Sequence, residues 1–225
     1  MNLSTTSYSI LSLLALRDWT SYELAQQMQR TLHFVWPRAE RKIYDEPKRL
    51  VAAGFATSEQ GAVGRRAKTT YSITPAGRVA LRDWLGTPPQ PASLEFEGML
   101  RVLFADQGDV EQLRSSIETV KAQAIDARLR LAVLSEGVLE NDGGAFPERM
   151  HVNALSIRFL IDHHDHLCNW ADWALAETAS WKDTVTPTES TRRRSRKVFD
   201  DAARAVVSSP AGRASGDGSG RPPGR

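Results

Sequence analysis

Three cations, Arg65, Arg66 and Lys68, crowd the five-residue run Gly64-Arg65-Arg66-Ala67-Lys68. They fall between Phe55–Glu59 and Thr69–Thr74, two segments that read as the strands of a hairpin. In the second, Tyr71 and Ile73 alternate with Thr70, Ser72 and Thr74, the pattern of a half-buried strand. Burial cannot account for three cations at a hairpin tip, whereas phosphate oxygens are the partners such a tip suits. A turn kept soluble by charge is the alternative. Upstream, Arg38, Arg41, Lys42, Lys48 and Arg49 fall mostly on the outward face of a helix. There they can bond guanine edges or phosphates, with a solvated helix face as the bland alternative. Ser21 and Tyr22 open another helix, whose first N–H groups favour a phosphate. Tyr44 reads as a core residue rather than a contact.

Other chemistry is sparse. Asp162, His163, His164, Asp165 and His166 suggest a metal at first sight. Two ligands from one helix do not complete a site, however, and no second cluster exists, so these are read as structural or interface residues and no metal is expected. Trp170, Trp173 and Trp181 suit packing, although His166, Trp170 and Trp173 could wall a small aromatic effector. Cys168, the only cysteine, excludes an internal disulfide and reads as an inert core thiol. There is no phosphate loop, no nucleophile elbow and no Cys/His pairing at motif spacing, so neither an enzyme nor a cofactor is expected.

The elements that must position these residues follow from spacing and caps. A first helix runs from about Ser4 to Leu16 and a second follows Thr20, whose hydroxyl and Glu23 form a capping box. Leu32–Pro37 connects to a third helix, 38–53, in which Pro47 sits as a fault. The helix either kinks at Asp45-Glu46 or restarts there, with Ile43, Tyr44, Pro47, Leu50 and Val51 facing inward. Gly54 stops it in the left-handed conformation. After the hairpin, whose wing is 60–68, Thr74 caps a helix that starts at Pro75 and reaches Gly86 through Leu81, Trp84 and Leu85. Thr87-Pro88-Pro89-Gln90-Pro91 is a stiff linker.

Beyond the linker the pattern is helical. A short apolar helix spans Leu94–Ala105, and a long one runs from about Asp109 to Glu140. Leu113, Ile117, Val120, Ala124, Ala127, Leu131, Leu134 and Val138 alternate at spacings of four and three, a coiled-coil-like seam. A last helix from Pro147 to about Trp181 carries Ile157 and Ile161 in a similar row. It is apolar over more than one face and so needs more than one neighbour. Two such helices from each of two copies would satisfy it, making Leu113, Ile117, Val120, Ala124, Ala127, Leu131, Leu134, Ile157 and Ile161 the expected dimerisation residues. From Asp183 the chain is polar, then Gly/Ser/Pro-rich, and reads as a disordered tail in which the run Arg192–Lys197 is solvated. At most a short helix near Lys197–Val207 is foreseen.

The net charge of +2 hides an uneven distribution. Residues 1–85 hold 12 Lys/Arg against 7 Asp/Glu, residues 86–183 hold 8 against 16, and residues 184–225 hold 9 against 4. A basic head on an acidic body points to polyanion binding by the head. No apolar run approaches the length of a membrane span, and the N-terminus lacks a basic segment followed by an apolar one, so a cytoplasmic location is expected.

Four blocks, LSTTSYSILSLLAL, TSYELAQQM, FVWPRAERKIYDEPKRLVAAGF and GRRAKTTYSITPAGRVALRDWL, occur in an order and spacing that resemble the PadR family of bacterial transcriptional regulators over about residues 3–85. The acidic helical remainder is similar in architecture to the longer C-terminal domain of the group that includes the virulence-activator type. The resemblance implies a homodimer, a winged-helix reader of double-stranded DNA and usually repression, often relieved by a small molecule. It also makes the block Glu46–Leu50 ordinary for this subgroup. The tail after Asp183 departs from the family pattern.

The expected fold is therefore mainly α with a small β-hairpin: a winged helix-turn-helix over 1–86, a linker over 87–93, a long-helix dimerisation domain over 94–182 and a tail over 183–225. Each third helix would enter a major groove of an inverted-repeat operator, with the wing on the neighbouring backbone. Two other readings stay open: a winged helix that binds protein rather than DNA, and a metal- or ligand-dependent protein centred on the last helix.

Overall fold

A computed structural model describes residues 3–36, 43–63 and 66–208. The chain divides into two compact units, Met1–Ser93 and Leu94–Arg225.

The N-terminal unit is built on α1 (Thr5–Leu16), which buries Ile10, Leu11, Leu13 and Leu14. Ser4 caps it by accepting from the Ser7 N–H at 3.2 Å, and Ser7 Oγ returns the bond to the Ser4 N–H at 2.9 Å. Next come β1 (Trp19–Thr20) and α2 (Ser21–Arg30), capped by Thr20 and Glu23 as their spacing predicts. Leu24, Ala25 and Met28 turn inward. The short α3 (Glu46–Ala52) ends at Gly54, whose φ of +77° is the left-handed turn foreseen there. The helix begins at Glu46 after the turn residues 43–45, with Pro47 in the first turn, where no N–H is needed; residues 38–42 of the expected helix lie outside the described residues.

Strands β2 (Ala56–Val63) and β3 (Arg66–Ile73) form the hairpin and α4 (Pro75–Leu85) closes the unit. Both strands run further toward the tip than the sequence pattern suggested, pairing from Ala56 opposite Ile73 to Val63 opposite Arg66. Arg66 and Lys68 therefore belong to a strand and not to the turn. The sheet also gains a third strand: Trp19 pairs with Tyr71 and Thr20 with Thr70, in the order β1-β3-β2. Two residues are too few to show periodicity, so only the partner strand reveals β1.

Two side-chain placements differ from expectation. Tyr44 is 56% exposed, not core, because helical periodicity does not extend to the turn residues 43–45. Leu85 is exposed at the end of α4, while Trp84 is held by stacking on Tyr8 with centroids 4.7 Å apart.

In the second unit, α5 (Glu97–Leu103) is shorter than the segment Leu94–Ala105 proposed for it and leaves Leu94 exposed. It is followed by α6 (Val110–Glu140), whose first turn is closed by an Asp109–Gln112 capping box. The turn at Asp142–Gly144 has positive φ throughout, and α7 (Met150–Thr178) runs back. Partners ascending along α6 descend along α7: Lys121 pairs with Asp172 and Arg128 with Asp165, so the two helices are antiparallel. Arg114 clamps the end of α7 by donating to the carbonyls of Thr178 at 2.6 Å and Trp181 at 3.2 Å.

The seam of α6 is spent inside the chain. Leu113, Ile117, Val120, Ala124, Ala127 and Leu131 are each 5% exposed or less in the single protomer. Leu113 and Ile117 pack with Ala171 and Ala174 of α7. Leu134, Ile157 and Ile161 are half-buried. The first six are the core of the unit within the single protomer, which takes them out of the face expected to meet a second copy, while Leu134, Ile157 and Ile161 keep part of their surface for it. A spacing of four and three states that a helix face is covered, not by which chain.

The last correction concerns the region after Asp183. Residues Glu189–Ser208 form a 20-residue helix, α8. Thr188 caps it by accepting from the Thr191 N–H at 3.2 Å, and Lys197–Asp201 and Arg204–Asp200 add support at i,i+4. The composition that argues for disorder begins only beyond Ser208, outside the described residues. Among the described residues no helix is long and apolar enough to cross a membrane.

Candidate nucleic-acid interface

The entry to α2 is held by several side-chain bonds. Glu23 Oε2 accepts from the Thr20 N–H at 2.8 Å and from the Thr20 hydroxyl at 2.7 Å. These bonds, the backbone one first, hold the Glu23 carboxyl below its ordinary range. Arg17 bridges to Glu23 at 3.3 Å and lies 3.6 Å over the Trp19 ring. Ser21 is half-buried at the first helical position, and Tyr22 is exposed, its hydroxyl accepting from Gln26 Nε2 at 2.9 Å.

Helix α3 is set by a buried carboxylate that helical pattern alone does not single out. Glu46 is 2% exposed. One oxygen accepts from the Ser7 hydroxyl of α1, and the other accepts from Arg49 at 2.8 Å. A carboxylate in the first turn also suits the helix dipole. Arg49 is therefore engaged in positioning α3, although its side chain remains half-exposed. Lys48 is freer. Its ammonium lies 3.7 Å from Asp45, and both side chains are well exposed, an arrangement of little energetic weight. A presumption that the two neighbours Lys48 and Arg49 are equivalent does not hold.

Lys48 and Val51 of α3 face Ser58, Gln60, Thr69 and Tyr71 of the sheet across an open groove of about 230 Å³. Lys48 is the one charge among these six residues. The Thr69 hydroxyl donates to Gln60 Oε1 at 3.1 Å, leaving the Gln60 amide N–H groups for another acceptor. Ser58, Gln60 and Thr69 were not foreseen as site residues. Their signal was strand alternation, which places them on the face of Tyr71 and continues that face past the edge of the core. By the same alternation Lys68, opposite Gly61, shares the face of Thr70 and Ser72 and points away from the groove. Lys48 and Lys68 thus flank the sheet rather than converge. Arg38, Arg41, Lys42, Arg65 and the side chain of Arg66 lie outside the described residues.

Residues 10–83 match the model of the transcriptional regulator PadR-like family. Over these residues the chain is similar to a PadR-like domain. A curated relative, the negative transcriptional regulator PadR of Bacillus subtilis (strain 168), is 31% identical over 99 residues, which is 43% of this chain and 54% of that protein. The match therefore spans about half the length of the relative. Beyond that stretch the likeness is one of fold. The solved structure of smu.1604c from Streptococcus mutans UA159 superposes with a TM-score of 0.68 at 19% identity, covering 77% of this chain and 99% of that one. B. subtilis PadR in complex with operator DNA gives 0.62 at 22% identity, covering 78% and 99%. The Vibrio cholerae virulence activator AphA gives 0.55 at 20%, covering 78% and 99%. The architecture is that of a PadR-like winged helix followed by a helical unit.

The candidate effector residues differ in burial. Trp170 packs against the Leu113–Ile117 core, while His166 and Trp173 on the same stripe of α7 are exposed. His164, half-buried nearby, is pushed below the usual imidazole value by burial first, then by the charges of His163, Arg130 and Arg128. Among the described residues no group of three His, Cys, Asp or Glu side chains is arranged to hold a metal ion.

Proposed function

We propose that this chain is a transcriptional regulator that binds a double-stranded DNA operator as a homodimer and acts as a repressor, without enzymatic activity. The observation that carries the reading is the PadR-like domain with its α3–sheet groove left polar and open on one side. The recognition segment is 38–53 and the wing is 60–68. Lys48 serves as a contact on the groove side, Lys68 as a contact on the opposite face of the wing, and Arg49 chiefly as the clamp on Glu46. Arg38, Arg41, Lys42, Arg65 and Arg66 are proposed as further contacts, with Ser21 and Tyr22 offering backbone N–H groups to a phosphate.

Because the α6 seam is already covered, the second copy is assigned to apolar stripes that the single chain leaves open. Ile125, Leu129 and Val133 form one on α6, and Val152, Leu155 and Phe159 form one on α7. A symmetric dimer implies an inverted-repeat operator. One structural neighbour was solved with p-coumaric acid; a small-molecule effector for this chain, with His166, Trp170 and Trp173 as first candidates, belongs to the proposal. The location is cytoplasmic.

Fluorescence anisotropy with DNA from upstream of the gene tests the reading. Binding that tightens as salt is lowered, with a footprint of two related half-sites, is the expected result. Salt-insensitive or absent binding would point to a protein-interaction module, and an asymmetric footprint would remove the dimer.

A further inference from the structure

Helix α8 carries charge that the fold does not use. Arg192, Arg193 and Arg196 are exposed and, among the described residues, take part in no ion pair or side-chain hydrogen bond. The other cations of the helix are each engaged: Arg194 with Glu177 at 2.7 Å, Lys197 with Asp201 and Arg204 with Asp200. Arg192 and Arg196 are four residues apart and Arg193 is about 100° round the helix from Arg192, so the three form one strip over the first two turns. As structure the strip is unfavourable. Like charges at i,i+4 repel, and cations near the start of a helix oppose its dipole. The supply of partners is not the reason they stand alone, since residues 86–183 hold 16 Asp/Glu. The fold anchors α8 at Thr191, which is buried, and at the Arg194–Glu177 pair, and leaves the strip in solvent.

We infer that Arg192, Arg193 and Arg196 form a second, sequence-independent contact to DNA phosphates, separate from the winged helix. The inference rests on the DNA-binding reading above. Guanidinium groups present planar pairs of donors that match phosphate oxygens, and groups roughly 6 Å apart along a helix can take neighbouring phosphates. A membrane surface fits less well, because the arginine strip lies on the first two turns of α8, residues 189–196, which hold no large apolar residue.

The test uses the full chain, a labelled mixed-sequence DNA duplex and a series of salt concentrations. Replacing all three arginines by Gln should lower the slope of log affinity against log salt by about 0.9 per lost phosphate contact, up to about 2.7 in total. The corresponding triple Lys variant should keep the slope. Far-UV circular dichroism should match the wild type in both, and the melting temperature should be unchanged in the Lys variant and no lower in the Gln variant, since the three side chains bond nothing in the fold and their mutual repulsion is removed only by Gln. A wild-type slope in the Gln variant, with wild-type protein binding the duplex normally, overturns the inference and leaves the DNA-binding reading intact. Failure of the wild type to bind any duplex overturns both. Arginine-dependent binding to phosphatidylserine vesicles without duplex binding overturns it in favour of a membrane surface.

Discussion

Removing the buried carboxylate of Glu46 should unfasten α3 from α1, and the cost can be worked from its contacts. Glu46→Ala deprives the Ser7 hydroxyl, itself 1% exposed, of its acceptor. A stranded buried donor costs about 1–3 kcal/mol, and the lower end applies because Ser4 Oγ lies 2.9 Å away and can accept instead. Loss of the half-exposed Arg49 pair adds up to about 1 kcal/mol. The first-turn carboxylate contributes about 0.3–1 kcal/mol through the dipole, and the lost methylene about 0.8 kcal/mol. Together these predict about 3 kcal/mol of destabilisation, read as a lowered midpoint in urea unfolding followed by tryptophan fluorescence with an unchanged m-value. Ser7→Ala combined with Glu46→Ala should cost at least about 0.5 kcal/mol less than the two changes separately, because the partners share one bond. A loss below about 0.5 kcal/mol for Glu46→Ala, or strict additivity in the pair, would refute the view that this carboxylate fixes α3.

Leu129→Glu together with Leu155→Glu should convert a dimer to a monomer in sedimentation while helical content is kept. Ile117→Ala should instead destabilise the protomer by about 2–5 kcal/mol, and an unaltered dimer in the first variant would remove these stripes as the interface. Gly77→Ala would place a Cβ 2.2 Å from the Phe55 carbonyl oxygen, so a loss of about 1–3 kcal/mol in denaturant unfolding is expected, and a neutral result would mean that α4 can shift freely. Glu23 has a folded pKa below its ordinary 4.5, so its contribution is present above that value and disappears as pH falls through the folded pKa. Glu23→Gln retains the cap acceptor and should flatten the acid limb of the stability–pH curve; an unchanged limb would show that this carboxyl carries no such linkage.

The legible parts of this chain were those whose physics is local. Thr20 and Glu23, or Thr74 and Pro75, satisfy the same few backbone groups wherever the helix lies, because cap bonds reach only two or three residues. Gly54 signals its turn because few other residues adopt a φ of +77° at low cost. The spacing from Leu113 to Leu131 likewise declares a long helix with one covered face.

What covers that face is a different matter, and tertiary structure alone decided it. A heptad row is equally content against α7 of its own chain or against another copy, since apolar burial is non-directional. Glu46 looked like one more charge in a basic helix until α1 brought Ser7 to it, 39 residues away in sequence. Arg49 then became a clamp while its neighbour Lys48 stayed open to the groove. β1 needed its partner strand, and α8 needed Glu177 to separate one engaged arginine from three idle ones. In each case the deciding partner lies far along the chain, where no periodicity or composition reaches.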